Sequence, residues 1–287
     1  MRKASHLKDY EQRLNRVITY IYDHLNEPLD LLKLADIACM SPYHWHRLYH
    51  ALYGETIADT VKRLRLQKAA TYLSHTELSP AIIAKKSGYP NLQSFTRLFK
   101  QEYGLPPAQY RKKGNHHQFQ LLSKQSLSEQ NYPVIIRHVS DLKIVALNHQ
   151  GSYIDIGKAF YKLFTWLGAH DLVTTNQRML GIYFDDPSIT AEKDLKSQAA
   201  MVIENHFNVN PPIISSYIHG GLYAVLRYIG PYASMRAAYQ WLYGQWLPQS
   251  AFETTDQPIF EEYINNPRDV SATELITDIY LPLASSK

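Results

Sequence analysis

Apolar residues recur at three- and four-residue steps through the first part of the chain, and in short runs through the last part. The first spacing predicts helices. Residues 7–26 carry Leu14, Val17, Ile18, Ile21 and Leu25 on one stripe, and Glu27-Pro28 ends it. Asp30 is an N-cap for a helix over 31–39, striped by Leu31, Leu34, Ala35 and Ala38. Ser41-Pro42 places a cap before a proline at the first helical position and opens a helix over 43–53. Its Trp45, Leu48, Tyr49 and Leu52 form a buried face; Tyr43, His46, Arg47 and His50 form the opposite one, and Gly54 stops it. A longer helix over 57–74 follows, then a short one opened by Ser79-Pro80 and broken at Gly88.

The next helix, from Leu92, has two clean faces. Phe95, Leu98 and Phe99 fall on one side; Leu92, Gln93, Thr96, Arg97 and Lys100 fall on the other. An amide, a hydroxyl, a guanidinium and an ammonium are what a helix needs in a DNA major groove, where Arg reads guanine, Gln reads adenine, and Lys and Thr reach phosphates. A solvated polar face is the ordinary alternative. A repeat favours the first reading. The segment from Leu34 aligns with that from Ile83, matching Arg47 with Arg97, Leu48 with Leu98, Tyr49 with Phe99 and Gly54 with Gly104. Each copy is a short helix, a tight turn and a two-faced helix, which is a helix-turn-helix. The connector over 57–74 spans roughly 27 Å at 1.5 Å per residue. With its flanking turns it can hold two recognition helices in major-groove segments about 34 Å apart. A single chain then reads a bipartite site as a monomer.

From Val134 the pattern changes to short strands around two helices. Strands are expected over 143–150, 179–184, 198–204, 223–228, 258–264 and 274–281. One helix is striped by Ile156, Phe160, Leu163, Phe164 and Leu167, the other by Met235, Ala238, Tyr239, Leu242 and Trp246. HQGSY matches YIGPY, and YFDDP matches YINNP, so this region is a duplicated strand-helix-strand-strand unit. Paired around a pseudo-two-fold axis, two such units leave a cleft suited to a small molecule. Its aromatic candidates are Tyr153, Tyr161, Trp166, Tyr183, Tyr228, Tyr232, Trp241 and Tyr263. Glu261 and Tyr263 share one face of their strand. A carboxylate among rings suits an organic cation, by charge and by cation–π attraction of about 0.5–2 kcal/mol per desolvated contact. Ordinary core rings and a solvated edge glutamate are the alternative.

Charge sharpens the division. Residues 1–113 hold 18 Lys/Arg against 10 Asp/Glu; residues 114–287 hold 12 against 16. The change falls in the polar stretch KKGNHHQFQLLSKQSLSEQ, which reads as a linker over 113–132 between domains at 1–112 and 133–287. A basic first domain favours a polyanion. No apolar run approaches a membrane span, and the basic N-terminus has no apolar segment behind it. The single cysteine, Cys39, cannot form an internal disulfide, which fits a reducing cytoplasm, and it reads as a small buried helix residue. His46 and His50 stand at metal-ligand spacing, but no carboxylate or cysteine joins them, nor His116-His117 in the linker, so no metal and no cofactor is expected.

The first domain resembles the DNA-binding domain of AraC/XylS-family regulators. The resemblance lies in LxxLAxxAxMS at Leu31 to Ser41, RLY at Arg47 to Tyr49, Gly54, Arg65 with Ala69 and Ala70, IAxxxGY, and SFTRLFKQEYGLPPAQYR. It implies an all-α, seven-helix, double helix-turn-helix fold. Base-reading positions fall on Tyr43, His46 and Arg47, and on Leu92, Gln93 and Arg97. Phosphate contacts fall on Ser41, Thr96 and Lys100. Leu92 departs from the usual polar residue. The second domain resembles the GyrI-like effector-binding domains of multidrug-sensing and Rob-like regulators, on GPY at Gly230 to Tyr232, PIFEEYINNP and ELITDIYLPL. This implies an α+β fold and a ligand-facing Glu261, with Glu262 turned away. Gly181 stands where the first copy's matching acid would be, so one carboxylate is expected.

Together these imply a bacterial, cytoplasmic transcription regulator and not an enzyme. It binds double-stranded DNA, senses an aromatic or cationic effector through Glu261, Tyr263, Tyr153, Trp166, Tyr183, Tyr228 and Tyr232, and acts with RNA polymerase. The alternatives for the second domain are a hydrolase, with Glu261 as general base, and a protein-interaction module.

Overall fold

The computed structural model describes residues 2–113, 132–174, 177–204 and 209–284. The linker expected over 113–132 lies almost wholly outside them, as do His116 and His117. The chain divides into two compact units: Met1–Tyr110 with Gly157–Asn176, and Arg111–Ile156 with Gln177–Lys287.

The first unit is helical. In order come α1 (Arg2–Asp23), α2 (Leu31–Ile37), α3 (Pro42–Tyr53), α4 (Ile57–His75), α5 (Pro80–Lys86), α6 (Leu92–Tyr103) and α7 (Pro107–Lys113). The capping residues do what their chemistry dictates. Asp30 accepts from Leu32 N at 2.8 Å, and Asn91 accepts from Ser94 N at 2.8 Å. Each cap satisfies a backbone donor that the first helical turn leaves unpaired. Both α3 and α6 end on a left-handed glycine, Gly54 at φ 71° and Gly104 at φ 73°. Both carry an aromatic ladder at four-residue steps, Trp45-Tyr49-Tyr53 and Phe95-Phe99-Tyr103, and all six side chains are buried. Each such burial contributes about 1.5–3 kcal/mol.

Two details depart from the sequence expectation. Leu31 is exposed, and Cys39 lies past the end of α2 at φ 52°, also exposed. The short α2 buries only Leu34 and Ala35, so the stripe is narrower than its periodicity suggests. Gly88, by contrast, is required. Its φ is +77°, and a Cβ there would lie 2.4 Å from the Leu25 carbonyl and 2.7 Å from Arg65 Nε. That guanidinium donates to the carbonyls of Leu25 (2.8 Å) and Glu27 (2.6 Å), tying the connector helix to the end of α1.

An eighth helix, α8 (Gly157–Ala169), belongs to this unit although it lies far along the chain. Tyr161 is buried in the core formed by Val17, Ile21, Trp45, Tyr49 and Tyr53, with Phe164 packed against it. The sequence reading groups this stretch with the second domain; its contacts group it with the first.

The second unit holds β1 (Val134–Val139), β2 (Leu142–Gln150), β3 (Met179–Tyr183), β4 (Lys196–Val202), β5 (Ile213–Ile218), β6 (Gly221–Ile229), β7 (Ile259–Tyr263) and β8 (Ile276–Leu283). They form one antiparallel sheet in the order β1-β6-β8-β7-β3-β4-β2-β5. The order is symmetric about the β7–β3 pair. Each copy therefore has five elements rather than four, and its first strand pairs into the other copy's half. Only two residues separate β1 from β2, yet they stand six places apart in the sheet. Flat, six spacings would cover about 29 Å, while three residue steps reach at most about 11 Å. The sheet must curl. Its two short connections cross where Gly220 N donates to Asp141 Oδ1 at 2.6 Å, and a Cβ on Gly220 would lie 2.8 Å from the Val139 carbonyl.

One face of the curled sheet packs Leu180, Ile182, Ala200, Tyr223, Val225, Phe260 and Tyr280 together. On another face, α9 (Arg236–Trp241), continued by a widened turn over Leu242–Trp246, packs Ala238, Trp241 and Leu242 against Ala224, Leu226, Ile279 and Leu281.

Candidate functional site

Two sites are built, one in each unit. In the helical unit, the buried ladders of α3 and α6 turn the opposite faces outward. His46 and Arg47 are exposed on α3, and Leu92, Gln93, Arg97 and Lys100 are exposed on α6, with Thr96 half-buried. The Tyr43 side chain lies outside the described residues. Ser41 is exposed at the N-cap of α3, where its hydroxyl accepts from His44 N at 3.4 Å and pairs with His44 Nδ1 at 2.9 Å. A phosphate contact by Ser41 would compete with that cap. Leu92 is 42% exposed, an apolar group at the leading end of α6.

In the sheet unit, β7 alternates. Phe260 and Glu262 point into the curled core; Glu261 points the other way with Tyr263. Glu262 is fully partnered. Arg178 grips it with two hydrogen bonds at 2.6 and 2.9 Å, and Tyr280 OH donates to it at 3.0 Å. Glu261 is different. It is 7% exposed and makes no ion pair among the described residues. Its partners are phenols. Tyr239 OH donates to Oε1 at 2.6 Å, Tyr263 OH donates to Oε2 at 3.0 Å, and Tyr183 OH pairs with Tyr263 OH at 2.6 Å. Two further rings stand edge-on behind these, Tyr232 at 5.5 Å from Tyr263 and Tyr153 at 4.8 Å from Tyr183.

The electrostatics follow from that setting. Burial pushes the Glu261 carboxyl above its ordinary range, and hydrogen bonds from the phenols pull it partly back. Burial and the Glu261 charge both push Tyr239, Tyr183 and Tyr263 well up, so they stay protonated donors. A buried carboxylate with no cation is costly.

Gly181 lies directly opposite Glu261 in the β3–β7 register. A Cβ there would come within 2.6 Å of Tyr263 OH and 2.8 Å of Tyr183 OH. The space a first-copy acid would take is filled by the phenols that hold the second-copy acid. Of the expected ligand residues, the structure brings Glu261, Tyr263, Tyr183, Tyr232 and Tyr153 into this cluster. Tyr228 turns its hydroxyl to the Pro231 carbonyl at 3.0 Å and packs among Met235, Trp241 and Leu242. Trp166 belongs to the helical unit and stacks on His170 at 4.3 Å. The sequence does not point to Tyr239 as a ligand residue, because it stands in the apolar stripe of its helix. The repeat carries a signal for it: Tyr239 aligns with Phe160, so the hydroxyl is present in the copy that also has the acid.

Among the described residues no three His, Cys, Asp or Glu side chains are grouped as a metal site, and no helix is long and apolar enough to cross a membrane.

Comparison with known proteins agrees with both halves. Residues 34–113 match the family model of a helix-turn-helix domain, and residues 132–284 match that of the GyrI-like small molecule binding domain. The two matches define the class by its parts: a helix-turn-helix domain joined to a small molecule binding domain. More narrowly, the chain belongs to the GyrI-like family, joined here to an AraC-type reader. Regulatory protein SoxS of Salmonella typhimurium is 28% identical over 102 residues, 36% of this chain and 95% of SoxS. The bifunctional transcriptional activator/DNA repair enzyme AdaA of Bacillus subtilis is 36% identical over 95 residues, 33% of this chain and 45% of AdaA, in the helix-turn-helix part alone. The cryo-EM structure of an EcmrR–DNA complex covers 88% of this chain and 85% of its own, at 19% identity and a TM-score of 0.47. The chain spans 35% to 45% of the length of the first curated relatives it matches.

Proposed function

We propose that this protein binds a bipartite DNA site through α3 and α6 and senses a monocationic aromatic compound at Glu261. The observation that carries the sensor half is a carboxylate sealed among phenols with no ion pair among the described residues. A cation entering there replaces the missing counter-charge, and Tyr153, Tyr183, Tyr232 and Tyr263 offer ring faces for cation–π contact. The DNA half is supported by two outward helix faces of matching chemistry, with Arg47 and Arg97 at equivalent positions. His46 and Gln93 are the further base readers, Thr96 and Lys100 the phosphate contacts, and Leu92 meets a thymine methyl. Output through RNA polymerase and a cytoplasmic place belong to the same reading, and the sensor unit regulates rather than catalyses.

Calorimetry with benzyltriethylammonium and a neutral compound of the same shape tests the sensor. Glu261→Gln is expected to weaken the cation far more than the neutral compound; equal losses refute the reading. For DNA, Arg97→Ala is expected to cost about 1–3 kcal/mol at one base position of a site selected from a random pool. An unchanged preference profile removes Arg97 from the readers.

A further inference from the structure

Helix α8 joins the two sites through the chain itself. It starts directly after the turn Tyr153–Ile156, which belongs to the sheet unit, while α8 is packed in the helical one. Tyr153 fixes that turn to the Glu261 cluster. Its hydroxyl donates to the Asp185 carbonyl at 2.8 Å and accepts from Asp185 N at 3.0 Å, and its ring meets Tyr183. Tyr183 in turn holds Tyr263, which holds Glu261.

Over its first nine residues α8 is held in the helical unit and grips the end of the first reader. Three residues one turn apart do this. Gly157 lies so close to α1 that a Cβ would come within 2.6 Å of Tyr22 OH. Tyr161 OH donates to Glu55 Oε1 at 2.9 Å and accepts from Arg63 Nη2 at 2.5 Å, while Arg63 and Glu55 form a largely buried pair at 2.6 Å. Thr165 Oγ1 donates to the Tyr161 carbonyl at 2.8 Å, so the Tyr53 hydroxyl, 2.5 Å away, is the donor to it. Tyr53 is the last residue of α3, and Glu55 follows the glycine that ends it. Buried polar contacts of this kind are directional and fail together when one partner shifts.

We infer that α8 is the lever by which the Glu261 site acts on the first recognition helix. An occupant that displaces Tyr183 or Tyr263 moves Tyr153 and its turn. The helix carries that movement to Tyr53 and to the Glu55–Arg63 pair, which set how α3 ends and meets α4. Tyr161 and Thr165 are positioning residues and touch neither DNA nor ligand. The inference rests on reading the Glu261 cluster as the effector site, and its test needs no ligand.

The test is a double-mutant cycle on DNA affinity in the full chain, using a duplex the protein itself selects from a random pool. Tyr183→Phe removes the hydroxyl that ties Tyr183 to Tyr263. It is expected to change the DNA Kd about fivefold, within the usual range of coupling between sites. In a Tyr161→Phe, Thr165→Val background that change should vanish, and in a Thr165→Ser background, which keeps the hydroxyl, it should persist. A purely structural role for α8 would shift every Kd and leave the effect of Tyr183→Phe the same in each background, and that overturns the lever. So does a Tyr183→Phe chain with native affinity. If the double background does not fold, hydrogen exchange at residues 53–60 in Tyr183→Phe alone reads the same coupling; native protection there refutes it. A chain that binds no benzyltriethylammonium yet gives a non-zero cycle keeps the lever and loses the cation reading.

Discussion

In the first copy of the sheet unit the central strand reads Met-Leu-Gly-Ile-Tyr; in the second it reads Ile-Phe-Glu-Glu-Tyr. The two strands pair antiparallel with Gly181 facing Glu261, so the pseudo-symmetry axis passes between these two positions; the second copy carries an acid there and again at Glu262, where the first has Ile182. A second acid at Gly181 would put two buried carboxylates side by side, where like charges repel and at most one can ionise cheaply. The helices differ in step with the strands. The second copy has Tyr239 donating to Glu261; the first has Phe160, with no hydroxyl to give. The rings around them are kept in both copies, as the pairs Tyr153 with Tyr183 and Tyr232 with Tyr263. The ring lining is symmetric, and within it only the second copy places a charge, Glu261. The first copy's helix, α8, packs instead in the core of the helical unit.

The comparison breaks most severely if the two copies do not share a core. Leu180 and Phe260 occupy equivalent positions and both pack inside the curled sheet. Leu180→Ala is expected to cost about 2–5 kcal/mol and Phe260→Ala about 3–5 kcal/mol of stability in urea. A cost well under 1 kcal/mol at either would mean that one copy hangs on the other without bracing it.

A smaller effect tests the asymmetry itself. Gly181→Ala places a methyl within 2.6 Å of Tyr263 OH and 2.8 Å of Tyr183 OH. The phenols must move, at about 1–3 kcal/mol, the usual cost of overpacking. The signature that separates this from a general loss of stability is at the ligand: cation binding should fall further than stability alone explains. Tolerance of the methyl without loss of either would show that the phenols are free to swing, and that Gly181 does not shape the site.

How much of this was legible beforehand depended on where each residue stood. The caps Asp30, Ser41 and Ser79, the terminal glycines and the two-faced helices were readable, because capping and periodicity are local chemistry. The strands β1 and β5 were not. They form the two ends of the sheet order, and β1 is exposed at four of its six positions, so no alternation marks it. That Glu261 and Glu262 face opposite ways follows from the strand period; which of them faces a ligand is what the family resemblance implies. The placing of α8 did not, since its stripe of Phe160, Leu163, Phe164 and Leu167 says that it packs and not against what. Trp166 was drawn to the cluster for the same reason, as a large ring on a helix whose neighbours the sequence leaves open.

The smallest expected effect sharpens the comparison through protons. The folded chain holds the Glu261 proton to a higher pH than the unfolded chain, whose carboxyl titrates near the ordinary value of 4.5. Above that value the folded state binds more protons than the unfolded one, so stability falls as pH rises from there through the raised folded value, then levels off. Glu261→Gln should remove this slope, and the difference between the two chains, followed by urea midpoints from about pH 4 to about pH 8, isolates it. The first copy contributes nothing, because Gly181 cannot titrate. An organic cation seated over the carboxylate would favour its charged form and pull the same pKa down. In the saturated complex the slope should therefore flatten or reverse. A native chain with the same pH profile as Glu261→Gln, with and without the cation, would mean that Glu261 meets no net penalty where it lies, and the argument from its missing counter-charge would fail with it.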